Sequence, residues 1–185
     1  MPLGQKEQSL RISGGDIVSV ITFNKTDKVE IFIDRENIEK ISGHGSVDYE
    51  ALTQCLAQGR PVSTVTLFDM LKEGDSIQKR VYDELKELKI RIVNPKGHGR
   101  EGKQLGVDVA LATKVVSRAS SSQCDTFIIV SGDGDFIPII EEVKARGKKI
   151  EIASWEVCIN KSLMNECDYF IPLDDIPALF TEEMQ

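Results

Sequence analysis

Thr126-Phe127-Ile128-Ile129-Val130-Ser131-Gly132-Asp133-Gly134-Asp135-Phe136 is the stretch whose reading decides the fold. Its first five residues are largely apolar and β-branched, the composition of a strand buried on both faces. From Ile137 to Arg146 the apolar residues recur at helical spacing instead. A buried strand passing through a short turn into a helix is the repeating unit of a parallel α/β sheet. Such sheets bind ligands at the carboxyl ends of their strands, which is where Asp133 and Asp135 fall. The two glycines are expected to bend the backbone so that both carboxylates enter one crevice. Like charges held that close repel unless a proton or a cation intervenes, and a hard divalent metal resolves the conflict. Ordinary turn chemistry is the alternative, with Asp133 making an Asx turn and Asp135 capping the next helix. A calcium loop of the EF-hand type does not fit, because Ile137 and Ile139 stand where oxygen ligands should continue.

Further acids are expected on the same edge. Lys28 to Ile33 reads as a strand, and Asp34-Arg35-Glu36-Asn37 leaves its carboxyl end. Asp108 lies in Leu105-Gly106-Val107-Asp108-Val109-Ala110-Leu111, the start of a helix with Leu105, Val109, Ala112 and Val116 on one face. Complementing the helix dipole is the simpler role for Asp108. Three acids and an asparagine converging on one edge point to a shared metal site instead.

With these elements in view, the chain resembles the NYN domain family of PIN-like ribonucleases. The matching elements are Ile33-Asp34-x-x-Asn37, Gly106-Val107-Asp108-Val109-Ala110-Leu111, Val130 to Phe136, and a closing Cys167-Asp168-Tyr169-Phe170-Ile171. They occur in the family's order over about residues 28 to 173, and the strand followed by Ser-Gly-Asp-x-Asp-Phe is the most specific of them. The resemblance implies a PIN-like α/β/α sandwich with a mostly parallel central sheet. It also implies metal-dependent RNA cleavage at a site carried by Asp34, Asn37, Asp108, Ser131, Asp133 and Asp135.

The chain departs from the family pattern at three places. Leu105 stands where a lysine usually precedes Gly-Val-Asp, Arg35 replaces a small residue, and Lys114 replaces an acid six positions beyond Asp108. On a helix Lys114 lies about 120° round from Asp108 and about 9 Å along. Its long stem lets the ammonium lean toward the acids, the alternative being a solvated surface lysine.

Composition bounds the remaining possibilities. A chain of 185 residues suits a single α/β domain, here residues 28–173 with an extension at 1–27 and a short tail at 174–185. Charged residues at 29% and hydrophobic residues at 41% are ordinary for a globular protein. No apolar run approaches the roughly 20 residues that span a bilayer, and the opening residues lack a signal pattern, so a cytoplasmic location is expected. Cys55, Cys124, Cys158 and Cys167 show no metal-binding spacing and read as buried reduced thiols.

The other elements alternate as a doubly wound sheet requires. Helices are expected over Val47 to Ala57, from Asp75 or Ser76 to Leu88 with a stripe of Ile77, Val81, Leu85 and Leu88, and briefly over Asn160 to Asn165. Strands are expected at Val62 to Phe68, Ile90 to Val93, Lys149 to Ala153 and Tyr169 to Ile171. Asp16 to Phe23 has the β propensity of an added edge strand or of an arm exchanged between subunits in a homo-oligomer. Thr181 to Gln185 reads as a frayed tail.

A net charge of -7 argues against binding nucleic acid by bulk electrostatics. Lysines and arginines nevertheless cluster from Lys86 to Lys103, and Lys96, Arg100 and Lys103 lie in a glycine-containing loop that leads to Asp108. This loop either holds an RNA phosphate backbone beside the acids or is simply solvated. His44 and His98 lie in glycine-rich loops and offer no Ser-His-Asp set. The expected chemistry is hydrolysis of a phosphodiester, with Asp34, Asp108, Asp133 and Asp135 holding Mg²⁺ or Mn²⁺, and Asn37 and Ser131 in support. Two rivals remain: another Mg²⁺-dependent phosphotransfer domain of the Toprim type, and a non-catalytic RNA-binding or regulatory module on the same fold.

Overall fold

The computed structural model describes residues 23–39, 46–70, 74–95, 106–176 and 179–181. Six strands form one sheet: β1 (Val29–Asp34), β3 (Val62–Phe68), β4 (Arg91–Val93), β5 (Thr126–Val130), β6 (Lys149–Ser154) and β7 (Tyr169–Pro172). Their order is β4-β3-β1-β5-β6-β7, and every neighbouring pair is parallel. β1 is therefore the switch point, from which the chain winds outward first through β3 and then through β5. A second, two-stranded antiparallel sheet joins β2 (Ser46–Val47) to β8 (Phe180–Thr181).

Strand alternation sorts the core into two layers. Ile31, Ile33, Val65, Leu67, Ile128 and Val130 face α1 (Arg35–Glu39), α2 (Tyr49–Ala57) and α3 (Ser76–Glu87). Phe32, Phe127, Ile129, Ile150 and Ile152 face α4 (Val107–Ser121), α5 (Ile137–Ala145) and α6 (Lys161–Glu166). The α/β/α sandwich expected from the sequence is thus present, its central strands apolar on both faces because both are covered.

Several local expectations are corrected. Val47 belongs to β2, and Asp48 caps α2 by accepting from the Ala51 N–H at 2.8 Å. The buried face of α4 is Val107, Leu111, Val115 and Ala119, while Val109 is 64% exposed. That helix is apolar on more than one face, so its own period could not select the face that meets the sheet. On α3, Ile77 points to solvent, and Gln78, Tyr82 and Leu85 are buried. Here a polar side chain wins a core position because it has a partner there: the Gln78 amide donates to Asp69 at 2.7 Å. Of the four cysteines, all free, Cys124 alone is buried. Thr181 pairs with Ser46 instead of fraying. The strand or arm expected at Asp16 to Phe23 lies outside the described residues except for Phe23, which packs on Tyr169 and Arg60. Among the described residues no helix is long and apolar enough to cross a membrane.

Candidate active site

The register of β1 against β5 pairs Ile33 with Val130, so the next residues along each strand, Asp34 and Ser131, emerge side by side. Parallel neighbours lie about 4.8 Å apart, close enough for their side chains to meet. The Ser131 hydroxyl donates to Asp34 Oδ2 at 3.3 Å, and the Asn37 amide donates to the same oxygen at 2.9 Å. Asn37 then turns back to β5, its Oδ1 accepting from the Gly132 N–H at 3.3 Å. Asp34, Asn37 and Ser131 are all buried. The three form a polar bridge across the switch point, with the Asp34 carboxylate held by neutral donors at its centre.

The following turn carries the other two acids. Asp133 Oδ1 accepts from the Asp135 N–H at 3.0 Å, making the Asx turn that ordinary turn chemistry predicts. Asp135 does not cap α5, because a short 3₁₀ helix over Gly134–Phe136 intervenes and carries it. The expected role of the two glycines is also corrected. Neither Gly132 nor Gly134 adopts the left-handed conformation that would demand glycine. Close approach excludes a side chain instead. A Cβ on Gly132 would lie 2.6 Å from both Cys158 O and Ser154 Oγ, and one on Gly134 would lie 2.5 Å from Asn160 Nδ2.

Asp108 enters from α4 in that helix's first turn. Its carboxyl is pushed up to about 6 from 3.8, first by burial and then by the charges of Asp34, Asp133, Asp135 and Glu36. The charges of Asp34, Asp133 and Asp135 thus reach Asp108. Glu36, the acid in the first turn of α1, contributes as well, and no motif marked it. Among the described residues, no three His, Cys, Asp or Glu side chains close around a common point as they would around a fully protein-ligated ion. Lys114 lines a shallow groove with Pro95, Ala110, Thr113 and Ser117. Lys96, Arg100 and Lys103, as well as His44 and His98, lie outside the described residues.

A second polar cluster adjoins the crevice, built from residues too far apart along the chain to form a readable motif. Arg35, directly after Asp34, donates to Asp69 at 2.6 Å and to Glu39 at 2.7 Å. Asp69 Oδ2 also accepts from Gln78 at 2.7 Å and from the Tyr82 hydroxyl at 2.9 Å. Burial alone would weaken the charge on Arg35, but Glu39 and Asp69 outweigh it and raise its pKa. The arginine that departs from the family pattern is thus committed to anchoring the end of β1.

Fold and site together define a doubly wound α/β protein with an acidic crevice at its switch point. The model of the NYN domain matches residues 28–174, and the chain belongs to that family of PIN-like nucleases. An uncharacterised protein of Methanocaldococcus jannaschii is 32% identical over 79 residues, which are 43% of this chain and 33% of that protein. The matched segment thus spans about a third of that relative's length. The crystal structure of a Vibrio parahaemolyticus protein of unknown function superposes with a TM-score of 0.72 at 22% identity, covering 84% of this chain and 98% of that one. At that identity the likeness speaks for the fold alone.

Proposed function

We propose that this protein is a metal-dependent ribonuclease that hydrolyses RNA phosphodiester bonds. The observation that supports the reading is the side-by-side emergence of Asp34 and Ser131 at the sheet's switch point, with the Asp108 carboxyl raised by burial and by the charges of Asp34, Asp133, Asp135 and Glu36. The donors are all oxygens, the set a hard cation prefers. Their open arrangement suits Mg²⁺ or Mn²⁺, since magnesium keeps several waters and takes only one or two carboxylates directly. A bound ion would acidify an attacking water and offset the charge that develops on the phosphate oxygens. The chain's own residues supply the placement. Asn37 and Ser131 fix the orientation of Asp34, Asp133 shapes the turn that presents Asp135, and the first turn of α4 brings in Asp108. Lys96, Arg100 and Lys103 are proposed to hold the RNA backbone on the loop that leads to that turn. Residues 28–173 would form the nuclease domain, with 1–27 as an addition to it.

Calorimetric titration with Mn²⁺, beside an RNA-cleavage assay with and without chelator, tests the proposal. Binding together with chelator-sensitive cleavage is expected. Asp34→Asn and Asp108→Asn should each lower cleavage by about two orders of magnitude or more, the scale of losing a group that stabilises developing charge. The open spacing of the acids favours one other reading, a non-catalytic RNA-binding module. RNA binding without Mn²⁺ affinity or cleavage would select it.

A further inference from the structure

Asn160 stands between β6 and α6, outside every segment discussed so far as a source of ligands. Its Oδ1 caps α6, accepting from the Ser162 N–H at 2.9 Å and the Leu163 N–H at 3.2 Å. Leu163 is fully buried in the same core layer as Phe136, so α6 and the turn that carries the acids rest on common ground. From that fixed position Asn160 reaches the turn twice. Its backbone N–H donates to Gly132 O at 2.9 Å, and its side-chain amide lies so close to Gly134 that a Cβ there would stand 2.5 Å from Nδ2 and 2.9 Å from Cγ. Gly134 is the residue between Asp133 and Asp135. Any displacement at this contact moves both carboxylates.

We infer that Asn160 is a positioning residue of the acid crevice, and that glycine is required at 134 by its contact with Asn160. The inference rests on the metal-dependent reading for its consequence, though its geometry is independent of it. A residue supporting metal ligands in this way is worth about 10–100-fold in metal affinity. The competing role is simple capping of α6, worth about 0.5–2 kcal/mol of stability. Asn160→Ser separates the two, because serine caps well but cannot reach Gly134 with an amide. Gly134→Ala tests the other side of the contact, and its backbone cost is small because Gly134 is not left-handed. In the Gly134→Ala/Asn160→Ala double variant, the added methyl group gains the space that the amide vacates.

The test combines Mn²⁺ calorimetry, thermal unfolding and ¹H–¹⁵N spectra of the metal-free full chain. Asn160→Ser should keep the wild-type Tm while weakening Mn²⁺ binding about tenfold and shifting the Gly132 to Asp135 amide resonances. Gly134→Ala should weaken binding at least as much, and the double variant should recover part of that loss. If Asn160→Ser matches wild type in both Mn²⁺ affinity and those amide resonances, Asn160 only caps α6 and the inference fails. It fails equally if the two alanine substitutions simply add, since a direct contact must couple. Should wild type take up no Mn²⁺, the ribonuclease reading falls, while the metal-free spectra still decide whether Asn160 holds the turn.

Discussion

At the first turn of α4, Asp108 stands beside the positive end of a 15-residue helix, a place that stabilises an ionised carboxylate by about 0.3–1 kcal/mol. Its carboxyl is nevertheless pushed up to about 6, so burial and the neighbouring acids outweigh the dipole. A raised carboxyl means that the folded chain binds this proton more tightly than the unfolded chain. Stability is therefore lost as pH rises from about 4 to about 6 and is level above that window. Metal-free Asp108→Asn should remove this loss and be more stable than wild type at pH 7, by about 1 kcal/mol or less because water screens a half-buried group. Unfolding midpoints measured from pH 4 to 7.5 should converge at the acid end and separate at the neutral end; parallel curves would contradict the crowding. The Asx turn makes a different demand at Asp133. Asp133→Asn should preserve stability, since an amide oxygen still accepts from Asp135, whereas Asp133→Ala should cost about 0.5–2 kcal/mol. Lys114 faces the groove beside Pro95. Lys114→Asp is accordingly expected to leave Mn²⁺ affinity within about twofold of wild type by calorimetry, the scale of a charge screened by solvent.

At the scale of elements, α3 is tied to the sheet by Leu85, Val81 and Leu88 on the core and by a set of polar contacts beside them. Asp69 follows the end of β3 and gathers Arg35 from α1 and Gln78 and Tyr82 from α3 on one oxygen. The Tyr82 hydroxyl also lies 2.9 Å from the Asn94 side chain just past β4. Burial, and then the Asp69 charge, raise the Tyr82 pKa and keep its hydroxyl a donor. Asp69→Ala leaves three donors, one of them the largely buried Arg35 guanidinium, short of an acceptor, so a loss of about 2–4 kcal/mol in urea unfolding is expected. Asp69→Asn, which keeps one acceptor oxygen, should lose less. Equal and negligible losses would show that water replaces the carboxylate freely.

Across the whole molecule, the two ends of the sheet have divided the work. The carboxyl end gathers the acids, and the amino end holds a buried ion pair. Arg60 donates to both oxygens of Glu151, at 2.6 and 2.8 Å, and to the carbonyls of Ala57 and Leu56. Phe23 covers the guanidinium at 4.5 Å. Removing one partner strands a buried charge, so Glu151→Ala should cost about 3–5 kcal/mol. Mn²⁺ binding by the fraction that remains folded should be unchanged, because Glu151 pairs with Ile128, three residues or about 10 Å along the strand from Ser131. A matched loss of metal affinity under folding conditions would show that the two ends are coupled.

The strand–turn–helix around Asp133 was legible from the sequence because its signals are local: a β-branched run, turn residues, then helical spacing. The same holds for Asp34, Asn37, Ser131 and Asp108, each of which sits at a predictable element boundary, and parallel register then brings the boundaries together. What the sequence could not settle was which side of an ambiguous helix is buried. On α4 two apolar stripes compete, and on α3 the winning face includes Gln78, whose burial depends on Asp69 and Arg35 arriving from other segments. The reason for the glycines was equally out of reach, since the contact that excludes a side chain at 134 comes from Asn160, 26 positions away along the chain. Periodicity and turn chemistry act between near neighbours and can be read along the chain. Close approach and shared hydrogen bonds arise between segments that only folding brings together.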